Sequence, residues 1–248
     1  DILPTAILST HTGGFTGYTF RDLSDDIPAI LAHWKKLGLK YDFIISGYLG
    51  SIEQIEMVKQ IKRDFLKESG TMIVDPVMGD NGILYSHFDQ RFVEEMKGLC
   101  RTADIIVPNL TEACFLTDTD YTAVSEQDYP AILAKLKVLC PRPSVTGCDV
   151  AENGIKSCVF YTDESGKFPF VVNPFMPCTS WWDQRCCAYT DKRSGFWSGI
   201  LLHDLDHFDD REYAIWGSRD SLAFTLYENR IEGGIKTGTR AFMHILCG

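Results

Sequence analysis

Two acidic side chains flank a turn that contains proline and glycine. Asp75 and Asp80 frame the segment Pro-Val-Met-Gly, directly after the apolar run 71–74. Carboxylates in such a position hold Mg²⁺ through water when phosphate oxygens supply other ligands. An ordinary turn that contains aspartates is the alternative explanation. The pattern indicates magnesium and phosphate chemistry if other polar residues reach the same place.

Three further polar positions also follow apolar runs. Asn109, with Glu112 after it, follows one such run, although an asparagine there equally suits a helix N-cap. Thr146 ends another run and suits contact with a phosphate, or an ordinary turn. In the loop 9–12, hydroxyl groups and the His11 imidazole are suited to orient a polar aromatic ligand. A lone histidine is more often a hydrogen-bonded loop residue, so each position is a candidate only.

The elements that must position these residues alternate between strands and helices. Apolar spacing predicts strands at 1–9, 41–46, 71–75, 104–107 and 143–146. It predicts helices over 25–37, from Ser51 to Phe65, and over 89–100, 111–116 and 130–139. Two β-like runs, 156–161 and 168–172, indicate an antiparallel hairpin. The βαβ rhythm predicts an α/β fold with a mostly parallel sheet and helices on both faces.

A parallel sheet of this kind would gather the polar residues. The carboxyl ends of its strands open on one edge, where ligands bind. The residues expected to share one cleft there are Asp75, Asp80, Asn109 and Glu112.

Composition and missing motifs exclude several classes of protein. The 248 residues are 45% hydrophobic and carry a formal charge of −10, which predicts one globular domain and argues against nucleic-acid binding. No apolar run is long enough for a membrane span, and nine cysteines without Cys-x-x-Cys spacing favour free thiols in a reducing cytoplasm. The chain lacks a Walker loop, a Gly-x-Gly-x-x-Gly after a strand and a Gly-x-Ser-x-Gly elbow. These absences argue against P-loop kinases, Rossmann dehydrogenases and serine hydrolases.

Four segments of the chain carry a specific resemblance. Residues 9–14 (STHTGG), 46–51 (SGYLGS), 75–82 (DPVMGDNG) and 103–113 (ADIIVPNLTEA) resemble pyridoxal and pyridoxamine kinases of the ribokinase superfamily. The match covers roughly residues 1–180. It implies one ribokinase-like domain over 1–248, a three-layer α/β sandwich that transfers the ATP γ-phosphoryl group to the 5′-hydroxymethyl of a vitamin B6 vitamer. It also implies ATP and Mg²⁺ as cofactors and a homodimer in the cytoplasm.

The resemblance assigns roles residue by residue. On the vitamer side it places Thr10, His11 and Tyr48. Around the ATP phosphates it places Asp80, Asn109 and Thr146, and at magnesium it places Asp75 and Glu112.

Two departures from the family pattern affect the expected activity. The family's first strand and its serine-bearing loop are absent, and no Gly-Thr-Gly-Asp segment supplies the anion hole and the catalytic base. A gapped alignment puts Asp191 at the base position and predicts that it begins a helix through Gly199 and Leu202. An ungapped alignment puts Cys186 there, as in related hydroxymethylpyrimidine kinases. We prefer Asp191, but both glycines are lost either way, which predicts impaired turnover.

Three alternatives to an active vitamer kinase stay open. The first is hydroxymethylpyrimidine kinase, from the same superfamily. The second is a catalytically weak protein that binds vitamer or nucleotide without turnover. The third concerns residues 181–248, which look unlike the family in pattern and identity, as a frame-shifted or misread segment would.

Overall fold

The computed structural model describes residues 1–9, 17–150, 155–161, 170–171, 201–202, 211–218, 221–230 and 242–247. The chain divides into two compact units. The first comprises Asp1–Val124, Ala131–Ser144 and Arg240–Gly248, and the second comprises Ser125–Pro130 and Val145–Thr239. One kinase domain over residues 1–248 stays a prediction.

Strands and helices follow one another closely. The strands are β1 (Ile2–Leu8), β2 (Phe20–Asp22), β3 (Tyr41–Ser46), β4 (Leu66–Val74), β5 (Gly79–Asp80), β6 (Ile83–Leu84), β7 (Ile105–Ile106), β8 (Arg142–Val150), β9 (Ile155–Tyr161), β10 (Phe170–Val171), β11 (Leu201–Leu202), β12 (Arg211–Ser218), β13 (Ser221–Arg230) and β14 (Phe242–Cys247). The helices are α1 (Ile27–Lys36), α2 (Ile52–Phe65), α3 (Gln90–Cys100), α4 (Leu110–Leu116) and α5 (Tyr129–Leu139).

The first unit is built on a mostly parallel sheet with the order β8-β7-β4-β3-β14-β1-β2, to which β8 contributes residues 142–144. All neighbours in it run parallel except β2, which is antiparallel to β1. The α/β class predicted from the sequence is therefore confirmed. Because β3, β4 and β7 are parallel, their carboxyl ends meet at one edge of the sheet.

The strand β14 lies between β1 and β3. His244 is in register with Ile2 on one side and with Ile45 on the other, and both pairings are parallel. Phe242–Cys247 is a short and nearly continuous apolar run, which is typical of a strand inside a parallel sheet. The sequence analysis did not predict this strand, since the nearer of its two sheet partners along the chain, β3, is about 200 residues away.

The helix α2 shows why these segments become helical. Its apolar residues recur every three or four positions, so Ile55, Val58, Ile61 and Phe65 are all buried on one face. The Ser51 hydroxyl caps the helix by accepting a hydrogen bond from Gln54 N at 3.2 Å. The helix packs on β3, β4 and α3.

The second unit contains two antiparallel groups of strands. Phe170 of β10 pairs with Phe160 of β9, which confirms the predicted hairpin. The strands β11, β12 and β13 form a separate antiparallel sheet, in which Leu201 and Leu202 pair with Ala214 and Tyr213. The predicted helix through Leu202 is therefore wrong at its end, because backbone pairing with β12 holds these two leucines extended. Gly199 and Asp191 lie outside the described residues.

Two further observations concern membrane spans and cysteines among the described residues. In the described part of the chain, no helix has the length and apolar character needed to cross a membrane. Cys100, Cys114, Cys140 and Cys148 are buried free thiols, as the cysteine spacing predicted for these four.

Candidate active site

The turn after β4 is held in a fixed shape. The backbone N–H of Asp75 donates to Ser46 O at 2.9 Å, which ties the turn to the end of β3. Beyond it, β5 and β6 form a tight hairpin in which Asn81 and Gly82 both have positive φ, as a two-residue type I′ turn requires. A Cβ on Gly79 would lie 2.5 Å from Ile83 O, so only glycine fits there. The hairpin thus fixes the backbone that carries Asp80.

The N-terminus of α4 is fastened to this turn. Asn109 and Glu112 form a capping box, since Glu112 N donates to Asn109 Oδ1 at 2.9 Å and Asn109 N donates to Glu112 Oε2 at 2.8 Å. Asn109 Nδ2 also donates to Gly79 O at 2.9 Å, and Glu112 Oε1 accepts from Met78 N at 3.2 Å. Asn109 is therefore an N-cap and also a contact of segment 75–80, which we call the acidic turn.

The structure brings the turn after β4 and the start of α4 together at one edge of the sheet, and the functional roles of their residues stay predictions. Asn109 and Glu112 bind the backbone of Gly79 and Met78, the charge of the adjacent Asp80 acts on Glu112, and Asp75 directly follows β4 at the same edge. Thr146 is a buried residue of β8 in the second unit. Thr10, His11 and Asp191 lie outside the described residues.

Tyr85 is a member of this cluster that the sequence analysis missed. Its backbone N–H donates to Met78 O at 3.0 Å, and its buried hydroxyl has no hydrogen-bond partner among the described residues. Burial raises the pKa of Tyr85 far above its usual range, and the negative charges of Glu112 and Asp80 raise it further. The hydroxyl is thus a neutral donor beside the carboxylates. A tyrosine close behind a Pro and Gly turn is a weak signal in a sequence.

The Glu112 carboxyl is fully buried. Burial raises its pKa to about 8, against the opposing effect of the backbone N–H groups of Asn109, Met78 and Gly79. The charge of Asp80 raises the pKa as well. With a pKa of about 8, Glu112 gains or loses a proton near neutral pH.

This raised pKa predicts a pH-dependent stability. Between the ordinary pKa of 4.5 and the folded value of about 8, the folded protein holds a proton that the unfolded chain releases. The stabilisation is full below pH 4.5 and is lost as pH rises through 8. We expect Glu112→Gln to remove the part of the pH dependence that Glu112 contributes to the free energy of unfolding. Urea melts at pH 5 and pH 8 measure this dependence. The Glu112→Gln variant should also lose about 1–3 kcal/mol of stability, since its amide nitrogen faces a backbone donor.

The control for this experiment is Glu68→Gln, because Glu68 is an exposed glutamate of β4. Its free energy of unfolding should change between pH 5 and pH 8 as much as that of wild type. The same change in Glu112→Gln as in wild type would mean that Glu112 does not titrate in this range.

The oxygen ligands at this edge suit magnesium with water. No three His, Cys, Asp or Glu side chains in the described part of the chain lie close enough to hold a metal ion. Mg²⁺ is commonly bound by one or two carboxylates together with water and substrate phosphates, so this arrangement fits it. Glu112 is fully buried with backbone N–H groups on both oxygens, whereas Asp75 and Asp80 are half-buried, which makes these two the better placed carboxylates. A role for Glu112 as a ligand stays a prediction.

A row of aromatic rings connects the acidic turn with the loop after β3. The Phe88 ring centroid lies 6.0 Å from that of Tyr48 and 6.5 Å from that of Tyr85, and Phe88 stacks on Phe92 at 3.9 Å. Such spacings are those of favourable aromatic pairs. Tyr48, the vitamer-side candidate, is half-buried and is connected to Tyr85 through the Phe88 ring.

The family can be read from a direct comparison. A sequence profile described as phosphomethylpyrimidine kinase matches residues 32–179, which is more than half of the chain. The chain belongs to this family. It is a pyridoxal kinase-like member of the ribokinase superfamily.

Individual relatives agree with this assignment. A Schizosaccharomyces pombe protein assigned as a pyridoxal kinase is 27% identical over 185 residues, which are 71% of this chain and 58% of that protein. A second S. pombe protein with the same assignment is 27% identical over 173 residues, 67% of this chain and 50% of that protein. This family member thus spans between half and three fifths of these curated relatives.

Solved structures give the same result for the fold. A Bacteroides thetaiotaomicron protein assigned as a phosphomethylpyrimidine kinase and crystallised with pyridoxal is 39% identical, with a TM-score of 0.64. Pyridoxal kinase from Lactobacillus plantarum is 33% identical, with a TM-score of 0.61. In both comparisons the match covers 71% of this chain and 62% of the other.

Proposed function

We propose that the protein transfers the γ-phosphoryl group of ATP to the hydroxymethyl group of a vitamin B6 vitamer. The observation that carries the proposal is the capping box of Asn109 and Glu112, which is hydrogen-bonded to Met78 and Gly79 beside Asp80 at the carboxyl edge of a parallel sheet. This is where a fold of this type binds its ligands. Pyridoxal in the structure of the Bacteroides relative supports a pyridine substrate.

The reaction needs positioning more than covalent chemistry. The hydroxyl oxygen of the substrate forms a bond to the γ-phosphorus, and the bond from that phosphorus to the oxygen bridging to the β-phosphate breaks. The hydroxyl proton passes to a base, for which we propose Asp191, and ADP leaves with the bond electrons. Asp191 does not form a covalent intermediate in this scheme.

The described residues would act on the phosphate side. Asp75 and Asp80 would hold Mg²⁺, which neutralises charge on the phosphates when it is bound. Asn109 would contact phosphate oxygens, and the buried Tyr85 hydroxyl is a suitable donor to the same group. A phosphate contact by Thr146 stays a prediction. Thr10, His11 and Tyr48 would bind the vitamer, where the Tyr48 ring can cover a pyridine.

Two other functions have support of their own. The family profile is that of phosphomethylpyrimidine kinases, which favours a hydroxymethylpyrimidine as substrate. The loss of both glycines of the Gly-Thr-Gly-Asp segment favours binding without turnover, since removing oxyanion donors costs on the order of 10²- to 10³-fold in rate. A homodimer and a cytoplasmic location stay predictions for this protein.

One assay separates these functions. The purified protein is incubated with Mg-ATP and, in parallel, pyridoxal, pyridoxamine or hydroxymethylpyrimidine, and ADP and the phosphorylated product are quantified. We expect the pyridine substrates to be phosphorylated with a higher kcat/KM than the pyrimidine. The opposite order would make the pyrimidine the substrate. Pyridoxal binding by calorimetry without product would leave the binding-only function, and neither binding nor product would contradict the proposal.

A further inference from the structure

A buried amide in the first turn of α2 joins three segments of the chain. The Gln54 side chain is 1% exposed. Its Nε2 donates to Thr5 O at 3.0 Å, to Ser24 Oγ at 2.9 Å and to Asp22 Oδ1 at 3.3 Å. Its Oε1 accepts from Gly50 N at 2.7 Å. Gln54 therefore links β1, the segment after β2 and the loop after β3.

The orientation of this amide is determined by its partners. Gly50 N can only donate and Thr5 O can only accept, so the oxygen of Gln54 must face Gly50 and the nitrogen must face Thr5. The N-terminus of α2 does not need the Gln54 side chain as a cap, because the Ser51 hydroxyl already caps the helix. The Gln54 side chain thus serves the neighbouring segments.

Thr5 makes the second contact to the same loop. Its hydroxyl donates to Tyr48 O at 2.9 Å, and the residue is 1% exposed. Between the two anchored positions, Leu49 is fully buried. The segment 48–50 is therefore held at the Tyr48 carbonyl by Thr5 and at the Gly50 amide by Gln54.

We infer that Gln54 and Thr5 are positioning residues that fix Tyr48 for vitamer binding. This inference rests on the proposed function, in which Tyr48 contacts the vitamer. All hydrogen bonds of the Gln54 and Thr5 side chains described above go to the β1, β2 and Tyr48 side, and none goes to the acidic turn. Substitutions of these two residues should therefore weaken vitamer binding more than nucleotide binding.

The test compares the change in the KM for pyridoxal with the change in the KM for ATP. The variants are Gln54→Met, which has a similar size but no amide, and Thr5→Val, which has the same shape but no hydroxyl. We expect each to raise the KM for pyridoxal about fivefold to tenfold, as loss of a buried hydrogen bond does, with the KM for ATP within about twofold of wild type. If turnover is slow, the Kd values of pyridoxal and an ATP analogue from calorimetry replace the KM values.

Two control variants show whether a change in KM comes from the lost hydrogen bond or from a general disturbance of the fold. Thr5→Ser keeps the hydroxyl and should retain the wild-type KM for pyridoxal, and Gln60→Met changes an exposed glutamine of the same helix and should do so too. Thr5→Val carries the test if Gln54→Met does not fold. Equal changes for both substrates, or a Thr5→Ser variant as impaired as Thr5→Val, would overturn the inference.

The outcome also distinguishes this inference from the proposed function. Wild-type protein that binds pyridoxal, with variants that bind it equally well, would overturn the inference alone. Wild-type protein that neither binds nor phosphorylates pyridoxal would overturn both.

Discussion

The Asp191→Asn variant should lose turnover by a factor on the order of 10² to 10⁴, the usual contribution of a general base. A base acts on the proton that leaves in the transition state, so the affinity for ATP should stay within about twofold of wild type. Single-turnover kinetics with Mg-ATP and pyridoxal measures the first quantity, and calorimetry with an ATP analogue measures the second.

The matched variant is Cys186→Ser, which removes the base of the ungapped alignment. The gapped alignment, which favours Asp191, predicts a helix through Leu202. Leu201 and Leu202 form a strand instead, so this support for Asp191 is lost. The two variants therefore decide between the alignments on activity alone. A large loss in Cys186→Ser with little effect in Asp191→Asn would assign the base to Cys186.

The Asp80→Asn variant should lose kcat/KM for Mg-ATP by a factor on the order of 10² to 10³, as removal of a charge-stabilising group does. The substitution keeps the size of the side chain and removes the negative charge at the end of β5. We expect much of the loss to appear as a higher Mg²⁺ concentration needed for half-maximal rate. Titration of Mg²⁺ at fixed ATP measures this directly.

Asp25→Asn serves as the control, because Asp25 is an exposed aspartate before α1. Its Mg²⁺ dependence should match wild type. Because the charge of Asp80 raises the pKa of Glu112, Asp80→Asn should also lower that pKa, and the pH dependence of stability should shift downward. Wild-type turnover and Mg²⁺ dependence in Asp80→Asn would remove Asp80 from the phosphate site.

The part of the fold that follows local rules could be predicted from the sequence. Helix α2 follows from apolar spacing and a serine cap, and the hairpin of β9 and β10 follows from two β-like runs. Asn109 and Glu112 could be placed at a helix start because a capping box has a local signature. Their meeting with Asp80 followed from the parallel topology.

The rest depends on contacts between distant segments, which leave little trace in local patterns. Gln54 looks like an ordinary capping-box residue, yet its side chain accepts from Gly50 N and donates to β1. Tyr85 is close enough to Asp80 and Glu112 for their charges to raise its pKa, and no local pattern in the sequence indicates this proximity. Strand β14 could not be placed because a short apolar run does not specify its neighbours.

The position of β14 has a consequence for how the protein is made. On the ribosome, β1 and β3 emerge before the strand that joins them, which comes about 200 residues after β3. Until then, each of these two strands has one edge without its final partner, and closing so long a loop is slow. Exposed strand edges in partly folded chains promote aggregation. The nascent protein therefore passes through a long interval in which its sheet is open, and chaperone binding during synthesis would protect it.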